Sequence, residues 1–397
     1  MAGSAAGVVR RFVFLTGAVA ALDFVYGALF VVQLRSLGID PASIGALFAV
    51  ITGVGMVLEA PSGALADRWG HHRTAATGLF LWGAGQALFG LANSLPAVVP
   101  ALVLWAAGQS FFSGAPTSAV VNHLREIGRE DDVAHALRRA QVSRWLSSGA
   151  GAAAVLAFGA TFPASALLAV SGALMLPLAV MVFRSFPSTS GSPHRSVAAS
   201  LKAALLYVRT HRLAACIMIS AGQGMAMGAL ILGWQPILLD SELAEPQLLG
   251  IALLLFTAAC AVGAWANRYA PKNAPLAWAA IAVLLLTVSL WTAGSTNALA
   301  WPGLVLAEFF LGLAGTSVYI WQQSLFSDEL RNTLFSVMAT VSGIAVATGD
   351  FLFGHLWNTI GAAGAVQAVA LCAAAVTTLG WLTGAGRTTT QPAAPGA

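Results

Sequence analysis

Apolar runs of about 20 residues recur along the chain from Phe12 to Leu382, separated by short polar stretches. At 1.5 Å per residue, such a run crosses roughly 30 Å of hydrocarbon as a helix. The runs lack the period-two alternation of a membrane barrel. In lipid the backbone must satisfy its own hydrogen bonds, so helices are the form expected. The pattern predicts helices at 12–34, 41–66, 74–92, 97–119, 142–160, 164–183, 213–237, 247–266, 275–293, 299–320, 334–357 and 362–383. The fold class expected is therefore an all-α membrane protein with twelve transmembrane helices.

Composition agrees. The chain has 397 residues, 58% hydrophobic and 9% charged, where a soluble domain carries about 25% charged residues. The net charge of +4 comes with no basic cluster of nucleic-acid type, so no nucleic-acid partner is expected. Cys216, Cys260 and Cys372 all fall inside apolar runs, which predicts neither a disulfide framework nor a metal site. No cleavable leader stands out before the first run. Arginine far outnumbers lysine, and alanine and glycine abound; this reads as a bacterial coding bias.

Charge placement sets the expected topology. Of the 19 Lys/Arg, all but Arg35 fall on one set of alternate loops or at helix ends on that side. The opposite loops hold Asp40, Asp240, Glu242 and Glu245. By the positive-inside rule the basic side is cytoplasmic, with both termini there, in the inner (cytoplasmic) membrane. Nine tryptophans, among them Trp69, Trp145, Trp234 and Trp301, lie near predicted helix ends, as the interface favours; Trp82 and Trp105 are deeper.

The longest polar stretch, 184–212, divides six helices from six. It starts as a loop, and Val197 to Tyr207 reads as a short amphipathic helix. The domains expected are an N-terminal bundle 1–183, a cytoplasmic central loop 184–212, a C-terminal bundle 213–384 and a disordered cytoplasmic tail 385–397. A repeat supports the division. GALADRW at Gly63 to Trp69 and GAWANRY at Gly263 to Tyr269 share four of seven residues, at equivalent places in the two halves.

The segment GALADRWGHHR, Gly63 to Arg73, strongly resembles the loop motif of the major facilitator superfamily, with His71 and His72 in place of the usual basic pair. Those two make part of the local charge pH-dependent. Upstream, Glu59, Pro61, Ser62 and Gly63 resemble the Glu-x-Pro-Thr-Gly form of a bacterial drug- and metabolite-exporter branch. Asp328 to Ser336 is similar to that branch's segment before the eleventh helix. The resemblance implies two pseudo-symmetric six-helix bundles. In the motif, Gly63 is expected to let helices approach closely and Gly70 to permit a tight turn. The resemblance implies a conformational latch of Gly63, Asp67, Arg68, Gly70 and Arg73, with Asp67 facing the positive end of the eleventh helix near Leu334.

Four acids lie within predicted helices: Asp23, Glu59, Glu308 and Asp350. An ionised carboxylate in a bilayer is costly, so it faces a cavity or a partner. Protonation removes that cost, which makes all four proton-coupling candidates. Asp23 is expected to be the main proton and cation site and Glu308 the second. Glu59 is placed to connect the latch to the cavity. Asp350, one turn from His355, is a candidate outer gate. For Glu59 and Asp350 a hydrogen-bonded structural acid is an equal reading.

Helical phase adds a candidate substrate cavity. Thr16, Asp23, Tyr26 and Gln33 share one face of the first helix. Gln109, Ser110, Ser113 and Thr117 share one on the fourth, and Ser220, Gln223, Met227 and Trp234 one on the seventh. Trp301, Glu308, Gly312, Gly315 and Tyr319 share one on the tenth. In the resembled fold these helices line the cavity; ordinary small-residue packing is the alternative. No lysine or arginine lies mid-membrane, Arg144 being nearest, so a neutral or cationic substrate fits better than an anion.

The function expected is secondary active transport by alternating access, as proton-coupled export of a small neutral or cationic amphipathic compound, a drug or secondary metabolite. An importer or uniporter remains the alternative, with a membrane sensor or membrane enzyme behind it. Asp350 and His355 are five apart, so their side chains diverge around a helix, which weakens the enzyme reading. No phosphate-binding loop is present. The fourth-helix arginine and fifth-helix glycine-proline signature of many exporters are also missing. No cofactor is expected beyond a proton gradient as energy source. The partners expected are a small molecule, protons and the lipid bilayer, with the chain acting as a monomer.

Overall fold

A computed structural model describes residues 5–187, 213–240, 245–271, 273–325 and 331–388. The expected amphipathic segment 197–207, most of the central loop and the tail from 389 lie outside them. Among the described residues twelve α-helices follow in order. They are α1 (Ala5–Ser36), α2 (Pro41–Trp69), α3 (His71–Leu91), α4 (Leu95–Phe112), α5 (Ala115–Glu126), α6 (Asp131–Phe158), α7 (Ala164–Ser185), α8 (Ala214–Asp240), α9 (Leu249–Ala266), α10 (Pro275–Ala293), α11 (Asn297–Leu325) and α12 (Arg331–Thr388). Short 3₁₀ turns flank α9 at Pro246–Leu248 and Asn267–Tyr269.

Among the described residues nine helical stretches are long and apolar enough to cross a membrane. One of them is α12, whose 58 residues are interrupted by the non-helical Gly361 at φ +78°. A left-handed φ is open to glycine and costly for other residues, so Gly361 turns one run into two legs. Another stretch, Leu95–Glu126, joins α4 and α5. The helices α3 and α6 are not in the nine, and α6 opens on the polar run from Asp131 to Arg144. With these two, and α12 counted as two legs, the helices account for twelve passes.

Three expectations from the hydropathy pattern change. The fourth helix is not continuous: Ser113 (ψ −165°) and Gly114 break it between α4 and α5. An apolar run does not reveal such a break. The motif read as a loop is nearly all helix, since α2 continues through Arg68 to Trp69 and α3 starts at His71. Gly70 alone turns the chain, at φ +91°, with its N–H still bonded to the Ala66 carbonyl at 3.0 Å. The last helix runs past Gly384 to Thr388.

The chain divides into two compact units. Unit 1 comprises Met1–Ile39, Val50–Pro193 and Ala244–Leu254; unit 2 comprises Asp40–Ala49, His194–Leu243 and Leu255–Ala397. A cut at the central loop would have put 40–49 with the first half and 244–254 with the second. Inside unit 1, α1 packs on α6 and α7, and α3 packs on α4 and α7. A Cβ on Gly83 would meet the Gly172 carbonyl at 2.7 Å, and one on Gly78 the Phe112 amide at 2.5 Å, so these backbones nearly touch. Leu15, Leu79, Leu124 and Met175 fill the core.

Inside unit 2, α8 packs on α12, and α10 on α11 and α12. Gly224 of α8 faces Ser342 on the first leg of α12, while Gly294 beyond α10 faces Ala363 on the second. Counting passes, first-with-fifth, third-with-sixth and third-with-fourth in unit 1 become seventh-with-eleventh, ninth-with-twelfth and ninth-with-tenth in unit 2. The two halves thus repeat one packing scheme. Ile219, Val283, Leu313 and Leu334 centre the second core.

Candidate functional site

Unit 1 holds Asp23 on α1, half-buried. One turn on, Tyr26 is 5% exposed. Its ring stacks on Trp105 of α4 at 4.5 Å between centroids and on Phe30 at 5.6 Å, and meets Phe89 of α3 edge-on at 5.9 Å. The Tyr26 hydroxyl and the Trp105 indole N–H are buried and have no hydrogen-bond partner among the described residues. Asp23 acts electrostatically on Tyr26, and Arg144 of α6 acts on Asp23.

Arg144, which the sequence marks as the cation nearest mid-membrane, is the one that acts on Asp23. Its side chain also lies 5.9 Å from the Trp145 ring. The helices α1 and α6 pack side by side, Gly17 against Ser143 and Ser147, Gly151 against Ala21 and Phe24. Residue numbers rise together along both, so the helices run parallel and Arg144 starts below the level of Asp23. Even so, Asp23 makes no ion pair among the described residues.

Gln33 is 2% exposed and Thr16 bonds its own helix, at the Phe12 carbonyl. Gln109 is half-buried on α4, but Ser113 and Thr117 lie exposed at and beyond the break. The single stripe expected on the fourth helix is therefore two. Around the break runs a seam of hydroxyls. Ser62 Oγ of α2 donates to the Ser110 carbonyl at 3.0 Å. Ser110 Oγ donates to the Gly55 carbonyl at 3.2 Å, and Ser113 Oγ to Glu59 Oε1 at 3.2 Å. Glu59 is thus an exposed acid hydrogen-bonded across to the broken helix.

Unit 2 holds Glu308 on α11, where it acts on Cys260 of α9. It makes no hydrogen bond or ion pair among the described residues. One turn on, Gly312 presses on the Cys260 carbonyl. The half-buried Gln223 of α8 lies beside Gly315, whose Cβ would be 3.4 Å from Gln223 Nε2. Trp234 is 4% exposed and meets Phe256 edge-on at 5.5 Å; Phe256 in turn contacts Trp301 at 6.0 Å. Met227 is half-buried. Tyr319 is 53% exposed, against Phe335 at 5.1 Å.

Asp350 is 1% exposed on the first leg of α12, its backbone between Gly228 of α8 and Gly45 of α2. His355 is exposed and stacks on Phe351, so the two side chains diverge as their spacing predicts. Within the motif, Arg68 and Arg73 are exposed. The side chain of Asp67 lies outside the described residues, as do 326–330 and the side chains of 331–333 and 336. A Cβ on Gly63 would meet nothing within 4 Å. Close helix approach is therefore not what that glycine provides among the described residues. His72 is buried, and burial, then Arg73, holds its imidazole below the ordinary value. It stays neutral near pH 7, so the motif's charge depends less on pH than the sequence implied.

Three residues escaped the sequence reading. Gln86 of α3 donates to the Leu22 carbonyl at 3.2 Å and to Ser171 at 2.7 Å. A lone glutamine in an apolar run was the signal available. Trp105, noted only as deep, is the ring on which Tyr26 rests. Asn267, the repeat's counterpart of Asp67, is buried and accepts bonds from Trp278 at 3.1 Å and Ser317 at 2.6 Å.

The sequence pattern of the Major Facilitator Superfamily matches residues 12–349. The chain belongs to that superfamily. Solved structures agree on the fold. A bacterial homologue of the human lysosomal transporter Spinster, in an inward-facing, unoccupied conformation, has a TM-score of 0.75 at 13% identity, covering 96% of this chain and 98% of that one. The nucleoside transporter NupG gives 0.76 at 14%, covering 97% and 100%. The POT family transporter PepTSo gives 0.72 at 12%, covering 96% and 99%. No curated protein sequence matches significantly. This superfamily member is a multi-pass membrane transporter rather than an enzyme.

Proposed function

We propose that this transporter is a proton-coupled exporter of small neutral or cationic amphipathic compounds, working by alternating access in the cell membrane with both termini cytoplasmic. One observation carries the reading: each unit holds an intramembrane carboxylate, Asp23 or Glu308, with no ion-pair partner among the described residues. A carboxylate so placed has two stable neutral outcomes, taking a proton or taking a cation. Exchange of one for the other is antiport. Only a ligand that binds two conformations unequally shifts their balance, and a proton does so where the desolvation of the acid differs between them. The basic residues on alternate loops support the orientation.

The test uses inside-out vesicles with a preformed proton gradient and a pH-sensitive dye. Tetraphenylphosphonium, other lipophilic cations and neutral antibiotics are added in turn. Dissipation that requires the protein, and is abolished in Asp23→Asn, is the expected result. Full gradient-driven transport by Asp23→Asn would remove Asp23 as the coupling site. Loss of preloaded compound from the vesicles together with the protons would replace export with import.

A further inference from the structure

Buried phenols and indoles nearly always hydrogen-bond their polar atom. In unit 1 two neighbouring rings both break that rule. Tyr26 Oη and Trp105 Nε1 are buried without a hydrogen-bond partner among the described residues, while their rings lie stacked at 4.5 Å. Both are hydrogen-bond donors; the indole N–H can do nothing else. Phe30 and Phe89 close the other contacts of Tyr26, so the stack is held by apolar neighbours that offer its donors nothing. Leaving two such donors unmet costs stability, and packing needs only the rings: phenylalanine at position 26 would fill the space of the Tyr26 ring.

Asp23 supplies the rest of the geometry. It lies three residues before Tyr26 on α1, and such residues sit one above the other with Cβ atoms about 5–6 Å apart. The result is an anion and a donor pair separated by one helical turn on one wall of unit 1. We infer that Tyr26 Oη and Trp105 Nε1 form an acceptor subsite beside Asp23, so that the transported compound is an organic cation bearing a hydrogen-bond-accepting oxygen about one helical turn from its ammonium. The inference rests on the cation-exporter reading and narrows it. A bare lipophilic cation meets Asp23 alone; an amino ester, amino ether or amino ketone meets all three groups.

The test compares two amines of matched length on the purified full-length protein in nanodiscs. One is 2-(diethylamino)ethyl benzoate, which carries an ester oxygen close to its ammonium. The other is N,N-diethyl-4-phenylbutylamine, which keeps the cation and ring but has no acceptor. Dissociation constants come from competition against tritiated ester. Wild type is expected to prefer the ester by about five- to tenfold, the worth of a neutral hydrogen bond. Tyr26→Phe keeps the ring and is expected to erase most of that preference by weakening the ester alone. Trp105→Phe acts in the same direction, and Asp23→Asn weakens both amines.

Equal binding of the two amines by wild type overturns the inference and leaves the cation reading standing. So does equal weakening of both in Tyr26→Phe, which marks a structural hydroxyl. Failure of both amines to bind overturns the inference together with the reading beneath it. The wild-type preference needs no variant, so a poorly folding substitution does not shield the idea.

Discussion

Two glycines on the same helix should respond to the same substitution with opposite sign. A Cβ built on Gly45, near the start of α2, would stand 2.6 Å from the Asp350 carbonyl oxygen and 2.6 Å from the Gly354 Cα. The contact is reciprocal, for a Cβ on Gly354 would be 2.7 Å from the Gly45 amide and 2.7 Å from the Pro41 carbonyl. Ordinary contact begins at 3.4 Å, so Gly45→Ala requires the helices to part by nearly an ångström. The neighbours are backbone and cannot rotate away. Overpacking of this kind costs about 1–3 kcal/mol. Gly53, two turns further along α2, would meet nothing within 4 Å. There alanine gains about 0.5–1 kcal/mol from helix propensity. Melting of purified protein in detergent, followed by size-exclusion fluorescence, should fall by a few degrees for Gly45→Ala and hold or rise for Gly53→Ala. Equal melting of the two variants would refute the close α2–α12 contact. A normal Gly45→Ala protein with a destabilised Gly53→Ala would reverse the argument.

Other expectations follow from single contacts. Asp40 caps α2, accepting the Ser43 amide at 3.0 Å and the Ser43 hydroxyl at 2.6 Å; the Ser43 side-chain bond, then its amide, holds the Asp40 carboxyl below its usual range. Asp40→Ala should cost about 1 kcal/mol as a lost cap, seen as a lower melting temperature, and an unchanged value at neutral pH would show the cap contributes nothing. Because His72 is held below 6.5 by burial and then Arg73, its contribution to stability is fully present above pH 6.5. That contribution fades as pH falls through the lower folded value. His72→Gln should flatten the loss of melting temperature on acidification toward pH 5, and an unaltered slope would assign the loss elsewhere. Asn267→Ala strands the Trp278 donor, while Ser317 keeps the Leu313 carbonyl at 2.7 Å, and should lower stability by about 1–3 kcal/mol; Asn267→Asp, which keeps the acceptor, should lower it less.

The spans were legible because a bilayer imposes one length and one polarity on every pass. Phe12 to Leu34 or Ala164 to Phe183 admit little else. The Gly63–Arg73 motif and its echo at Gly263 pointed to the superfamily and to the repeated packing. What hydropathy could not see was anything decided by which helix lies beside which. Arg144 reads as a residue near a helix end until α6 is laid parallel to α1, and then its charge acts on Asp23. Trp105 reads as one more apolar residue until α4 meets α1 at Tyr26. The Ser113–Gly114 break is silent because serine and glycine are tolerated in a continuous membrane helix. For Gly63 nothing among the described residues lies within 4 Å of an added Cβ, so a small residue by itself does not mark where helices approach.

That break has a consequence for what touches the fourth pass. A helix interrupted within the bilayer leaves peptide groups that hydrocarbon cannot solvate. The hydroxyl of Ser62 meets the Ser110 carbonyl, and Ser113 reaches Glu59, yet Ser113, Gly114 and Glu59 remain exposed on the protein's surface. Acyl chains are therefore unsuitable neighbours for this face, and water is a suitable one. The fourth pass is two short rods joined at a wetted elbow. A cysteine placed at Ser113 should react readily with a membrane-impermeant, water-soluble thiol reagent, while one at the exposed, apolar Leu174 of α7 should meet lipid and stay unlabelled.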